Sequence, residues 1–395
     1  MSTDPLETSD GCRVCPDPDP GPQLALVLPG GGARAAYQAG VLRGLGREFP
    51  KLRFSFITGV SAGAINATFL AAHPGNLEAA ATDLAALWEE IEFDDIFRVD
   101  TLSLARNALK WLVRLVLGGS KLGPEVHGLL DTQPLRRLME RELQAHDGRI
   151  EGIGRNIEAG RLRALALLTV NYGTGQTVIW TDGCDVEAWQ RPNRRAVSTQ
   201  LTVDHVMASS ALPLVFPAIE LDGGWFGDGG IRLAAPFSPA LHLGADRILA
   251  ISIRYPRSRE EADQTSLVGY PPPAQIAGNL MNAIFLDVLD QDVLRLERLN
   301  RVLEKLPPEE REGLKPVDVE VLRPSQDLGK LSAGFENKLP RGLRFLTRGL
   351  GTRETKSPDY LSLLMFHSGY LRLLVELGEE DVAARKDELA EWIGG

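Results

Sequence analysis

Cysteine is scarce in this chain: three of 395 residues, Cys12, Cys15 and Cys184. So few thiols exclude a disulfide-stapled scaffold and fit a reducing compartment. Cys12-Arg-Val-Cys15 has the spacing of a redox or metal site. Its Pro/Asp-rich surroundings hold no second Cys or His pair, so it reads as part of an exposed tail. Long apolar runs are also missing. No stretch is long and apolar enough to span a bilayer, and the N-terminus lacks a charged segment followed by an apolar one, so no secretory signal is read. Positive charge is in deficit as well. The 43 Lys and Arg against 53 Asp and Glu leave a net charge of -10. That argues against a nucleic-acid partner and against attraction to anionic membranes by bulk charge, leaving only local basic patches for that role. Neither G-x-x-x-x-G-K-[ST] nor a clean G-x-G-x-x-G occurs, so nucleotide binding gains no support. The expectation is a cytoplasmic protein, soluble or in peripheral contact with a membrane, with no cofactor and no metal.

What is present is an ordinary globular balance, 44% hydrophobic and 24% charged, enough for a sizeable core. Residues 1–22 are too polar and proline-rich to pack and read as a disordered leader. From residue 23 the order is apolar strand, glycine-rich loop, helix over 33–48, strand, and Ala-rich helix. A βαβα order of this kind calls for a parallel sheet covered by helices. Further strands are expected at 165–170, 177–180, 247–253 and 317–322, and helices at 236–243 and 274–306. An amphipathic helix is expected over 359–377 and a charged one over 381–392. The chain is therefore read as an α/β domain over 23–325, with a basic loop and C-terminal helices over 326–395 packed on it. Residues 102–117 carry Arg106, Lys110 and Arg114 every four positions among apolar residues, and fit either a lid or a core-packed helix with one basic edge. Residues 338–356 are strongly basic, as a phospholipid-headgroup patch or a solvated loop would be.

Chemistry concentrates at two places. Gly59-Val60-Ser61-Ala62-Gly63 matches G-x-S-x-G between an alternating segment and an Ala-rich one. A strand turning at once into a helix would present the Ser61 hydroxyl at a helix N-terminus, as a nucleophile elbow does, although a plain N-capping serine has the same surroundings. Gly30-Gly31-Gly32 could expose backbone N–H groups to an anion. The other place is Trp225-Phe226-Gly227-Asp228-Gly229-Gly230, where one carboxylate lies between glycines. It is a candidate base or else an Asp-Gly turn between strands. None of the six histidines stands in a loop that advertises catalysis.

With Gly30-Gly-Gly-Ala-Arg34, Gly59-Val-Ser-Ala-Gly63 and Asp228-Gly-Gly230 in this order, and 208–217 before the last of them, the chain resembles the patatin-like phospholipase family over residues 24–240. Ala35 stands where that family's loop usually has glycine. The resemblance implies a three-layer, mostly parallel α/β sheet related to the α/β-hydrolase fold. It also implies a serine-aspartate dyad that cleaves acyl esters of lipids without a metal. Carried over by position, Ser61 is the nucleophile and Asp228 its base. Gly30, Gly31, Gly32 and Arg34 form the oxyanion loop, with Arg34 holding it or meeting a headgroup phosphate. Trp225 and Phe226 are expected to desolvate Asp228 and raise its pKa. Two other readings remain: an esterase or thioesterase triad using His242 or His367, and a catalytically silent lipid-binding scaffold.

Overall fold

The computed structural model describes residues 21–98, 128–184, 186–263, 273–285, 288–342, 344 and 359–394. The 102–117 segment, Cys12, Cys15, His127 and most of 338–356 lie outside them. Five strands form the parallel heart of a 10-stranded sheet: β1 (Leu24–Leu28), β2 (Phe56–Val60), β3 (Ala164–Asn171), β9 (Arg247–Ile251) and β10 (Asp318–Leu322), in the order β10-β9-β1-β2-β3. The sheet continues past β3 through β4 (Thr177–Gly183), β6 (Arg194–Ser198) and β5 (Gln190–Arg191). The hairpin of β7 (Ile219–Leu221) and β8 (Gly224–Asp228) joins the same sheet by antiparallel pairing of β8 with β3.

In chain order the helices are α1 (Ala35–Glu48), α2 (Ala62–Ala72), α3 (Leu77–Glu90), α4 (Phe93–Ile96), α5 (Gln133–Glu142), α6 (Glu151–Glu158), α7 (Val203–Ser209), α8 (Ser238–His242), α9 (Arg259–Ala262), α10 (Pro273–Phe285), α11 (Val288–Leu303), α12 (Leu328–Ser332), α13 (Asp359–Leu363), α14 (Ser368–Ala384) and α15 (Lys386–Gly394). Strand alternation sorts side chains onto two faces. Leu26, Leu28, Ile57, Leu165 and Leu249 pack into the large core under α1, α2, α3 and α14. Their neighbours Ala25, Val27, Phe56, Ile248 and Ala250 face a smaller core closed by Ala240 of α8 and by Leu289 and Leu296 of α11. Two buried faces explain why these strands read as continuous apolar runs.

The parallel strands fall within two residues of their expected positions, whereas three features differ. Residues 190–198 and 219–228 form strands that were not expected, because they are short, polar or glycine-bearing edge elements with little periodicity. The helix expected over 359–377 breaks after Leu363 and restarts at Ser368, where the His367 ring nitrogen accepts the Gly369 N–H at 3.0 Å as an N-cap. The helix expected over 274–306 appears as α10 and α11. Cys184 is disulfide-bonded, and the chain's other cysteines lie outside the described residues.

α14 lies against α1 with almost no gap. A Cβ added at Gly378 would stand 2.5 Å from the Tyr37 carbonyl oxygen and 2.6 Å from the Val41 nitrogen. The Tyr37 hydroxyl donates to Asp381 at 2.8 Å in the buried seam beside it. Backbones this close have no room to yield, so Gly378→Val is expected to destabilise the fold by at least about 1–3 kcal/mol, the usual cost of overpacking. Chemical denaturation measures this. A variant as stable as the wild type would show that the two helices are free to separate.

Candidate active site

Ser61 follows β2 directly and opens α2, with φ 57° and ψ -132°. A non-glycine residue there carries strain of order 1–3 kcal/mol and persists only where its surroundings over-determine it. Here they do. Its N–H donates to Ser209 Oγ at 3.1 Å, and its carbonyl accepts from Ser210 Oγ at 3.1 Å. Ser209 in turn donates to the Leu168 carbonyl of β3 at 2.7 Å. The next residue, Ala211, accepts the Asp228 N–H at 3.0 Å. Three consecutive residues at the end of α7 thus hold the backbones of both candidate catalytic residues. Ser209 and Ser210 lie in the 208–217 stretch singled out by the sequence, yet no role could be read for them, because they act through folded backbone contacts.

β3 carries both residues along one edge, because β4 occupies the other. Val60 pairs with Leu168, and Asp228 pairs with Thr169. Ser61 and Asp228 thus stand at neighbouring positions along the same edge of β3, where their side chains can meet. The Asp228 carboxyl is fully buried, 0% exposed. Its Oδ1 accepts the Gly230 N–H at 2.8 Å, while Oδ2 is buried with no hydrogen bond of normal geometry. Burial pushes its pKa up to about 7 against the opposing pull of the Ser61 hydroxyl and the Gly230 N–H. The Ser61 side chain is therefore near enough to act on the carboxylate. Phe226, two residues earlier on the same strand face, is buried with its ring centroid 5.3 Å from that of Trp180. Trp225 alternates to the other face and is 49% exposed, so it does not take the desolvating role expected of it.

The glycine loop packs onto Ser61. A Cβ at Gly30 would lie 2.6 Å from Ser61 Cβ, so the loop could not approach with any side chain there. Gly32 holds φ +54°, the left-handed region that favours glycine. Gly31 and Gly32 line the same cavity as Ser61 and Ala62. Ala62 is the first residue of α2, so its N–H has no partner within the helix, and it is a further donor that the sequence reading missed. Arg34 is placed differently. It is buried, its Nε donates to Ser362 of α13 at 2.7 Å, and its backbone N–H is taken by the Gly31 carbonyl at 3.1 Å. It braces the loop against the C-terminal segment and offers no backbone donor to an oxyanion.

Beside Ser61 the cavity wall is almost wholly apolar, with Ile65, Trp88, Leu138, Met139, Phe216 and Phe366 prominent in it. Neither histidine considered for a triad is at this wall. His242 stacks on Trp189 at 4.4 Å and its Nδ1 donates to the Ser238 carbonyl of α8 at 2.7 Å, and His367 caps α14. Buried His205 hydrogen-bonds Thr202 at the start of α7, and burial lowers its pKa to about 4. Among the described residues no group of three His, Cys, Asp or Glu side chains could hold a metal ion, and no helix is long and apolar enough to cross a membrane.

The burial of Asp228 ties stability to pH. Its folded pKa of about 7 lies above the ordinary carboxyl value. Its favourable contribution is thus complete below about pH 4 and lost as pH rises through 7, up to on the order of 4 kcal/mol. Asp228→Asn stays neutral throughout and keeps an acceptor for Gly230. The variant is expected to match wild type at or below about pH 4 and to melt at a clearly higher temperature at pH 8–9. A melting difference that is constant with pH would show that the carboxyl titrates normally. Ser209→Ala leaves the buried Ser61 N–H unpaired, and an unfolding free energy lower by about 1–3 kcal/mol is expected in denaturant titration.

Comparison with known proteins places this geometry. The family model for patatin-like phospholipase matches residues 26–241, more than half of the chain. Curated proteins yield no match by sequence. Among solved structures, human GIVD cytosolic phospholipase A2 in complex with methyl gamma-linolenyl fluorophosphonate is 14% identical, covering 94% of this chain and 58% of that one, with TM-score 0.44. VipD from Legionella pneumophila is 15% identical, covering 87% and 67%, with TM-score 0.37. The chain thus spans less than two thirds of the length of the human structure. With the glycine loop, the serine turn and the aspartate all inside the matched segment, the chain belongs to the patatin-like phospholipase family.

Proposed function

We propose that this chain hydrolyses carboxylic esters of phospholipids or related acyl lipids, with Ser61 as nucleophile and Asp228 as its base. One observation carries the reading: a serine in a strained strand-to-helix turn lies beside a fully buried carboxylate at the wall of an apolar cavity. Membership of the family supports the reaction class.

In the proposed cycle the Ser61 hydroxyl loses its proton to Asp228 as Oγ bonds to the acyl carbonyl carbon. The carbonyl oxygen becomes an oxyanion within reach of the N–H groups of Gly31, Gly32 and Ala62, whose fixed dipoles stabilise the developing charge without reorganising. Collapse breaks the ester C–O bond. Asp228 returns the proton to the departing alcohol or lyso product, leaving an acyl-serine. A water then gives its proton to Asp228, attacks the same carbon, and releases the fatty acid as Ser61 regains its proton. An aspartate at its ordinary pKa is a weak base for this work. One held near 7 is matched to neutral pH. Phe216, Leu138 and Ile65 offer the acyl chain an apolar wall, whereas Arg34 is committed to Ser362 and leaves headgroup recognition to other residues. Ser209 and Ser210 serve by holding the Ser61 backbone.

Released fatty acid from phospholipid, lysophospholipid and p-nitrophenyl ester panels is the direct measurement. Ser61→Ala and Asp228→Asn are each expected to lower kcat by on the order of 10^3-fold or more, and fluorophosphonate labelling should require Ser61. The kcat/KM profile should rise with pH through a single acidic limb near 7, because the base works only when deprotonated. A limb near 4, or full turnover in Asp228→Asn, would remove Asp228 from the role. Loss of activity in His242→Ala or His367→Ala would put a histidine there instead.

A further inference from the structure

At the opposite end of the sheet a second cavity, of about 610 Å³, opens among three connections: the one leading into β2, the one from α2 to α3, and the one from α6 to β3. This is the size range of pockets that hold small organic molecules. It is distinct from the Ser61 cavity but shares helices with it. Leu70 and Ala71 at the far end of α2, and Leu77 and Ala80 at the start of α3, line the second cavity. Ala62 and Ile65, with Leu87 and Trp88, line the first. Helical rise puts the ends of α2 about 15 Å apart.

The chemistry of the second cavity is divided. Its floor is apolar, with Leu52, Phe54 and Leu162 buried. Its rim carries Lys51, Arg53, Arg161 and His73, and no Asp or Glu lines it. In a chain of net charge -10 such a segregation runs against composition. Lys51 and Arg53 are exposed, and neither forms an ion pair with another described residue. Arg161 is held in place by donating to the Pro74 carbonyl at 2.6 Å, and His73 is paired with Asp83 at 3.0 Å, outside the lining. Two cations with no internal partner over an apolar floor suit a ligand with an anionic head and an apolar tail. The head would take the arginine and lysine donors, and the tail would cover the leucine and phenylalanine surface.

We infer that this cavity binds a single-chain amphiphile with a carboxylate or phosphate head, at a site separate from the Ser61 cavity. The inference does not depend on ester hydrolysis. It is tested by calorimetric titration with decanoate, decyl phosphate, acetate, inorganic phosphate and decanol, and by photolabelling with a diazirine-bearing decanoate followed by peptide mapping. At least one anionic decyl compound should bind tenfold or more tightly than its headgroup alone and than decanol. Comparison of the two heads then assigns the source as fatty acid or phosphate ester. Lys51→Glu/Arg53→Glu alters only exposed side chains. It should keep its circular dichroism and its melting temperature while losing at least tenfold in affinity, and the label should map to 50–54 or 161–162. Unchanged affinity in the double variant, binding of the head alone with equal strength, or label confined to 61–65 and 135–139 would each overturn the inference.

Discussion

The arrangement rests on one constraint, the anchoring of a strained backbone at Ser61 by a hydrogen bond donated to Ser209 and another accepted from Ser210. A residue at φ 57° and ψ -132° would relax if either its N–H or its carbonyl were left to find another partner. Because Ala211, next along, holds the Asp228 N–H, the same short segment sets where the hydroxyl and the carboxylate stand relative to each other. Neither residue is positioned by its own strand alone. β2 delivers Ser61 to the rim, β8 brings Asp228 beside it along the same edge of β3, and the end of α7 holds the backbones of both.

That constraint explains the sheet's departure from parallel order. Two parallel strands must be joined through a crossover connection, whereas an antiparallel hairpin needs none. Here the β7–β8 hairpin enters antiparallel to β3, and Asp228 reaches Thr169 directly. Its carboxylate arrives beneath the surface, with Phe226 on the same face, and desolvation follows from burial. The expected role of Trp225 fails for a reason of period. Adjacent residues of a strand cannot both shield one side chain.

Much of this was legible in the sequence, and the limits have physical causes. β1, β3 and β9 announce themselves because both their faces are buried, leaving nearly uninterrupted apolar runs, whereas β10 at the sheet edge keeps Asp318 and Glu320 among its apolar residues. The serine turn and the glycine loop are legible because close backbone approach leaves only glycine, as the contact of Gly30 with Ser61 illustrates. Ser209, Ser210 and the Ala62 N–H were not legible. A buried serine bonding to a distant backbone has no local pattern, and a backbone donor has no side-chain signature at all. Arg34 illustrates the converse. Its place in the motif was evident, but its partner Ser362 lies 328 residues away, and only the folded chain could show that its guanidinium is already engaged. The break after Leu363 was hidden for a similar reason. The amphipathic pattern runs through it, while tertiary packing turns Leu364 and Phe366 toward the Ser61 cavity.

Packing at that cavity bears on how the proposed substrate gains access. The open space beside Ser61 is about 60 Å³, the share of about two waters in the liquid, and far less than an acyl chain occupies. Its wall is nonetheless apolar, with Phe216, Phe366 and Leu138 in it, so water gains little by entering. Opening the slot exposes that surface unless a chain follows it in. Each methylene then buried returns about 0.8 kcal/mol, which offsets the separation of the wall. A short polar ester opens the slot at the same cost with little return. For the proposed reaction, an apolar wall of this kind would favour long acyl chains over short polar esters through the area each one buries.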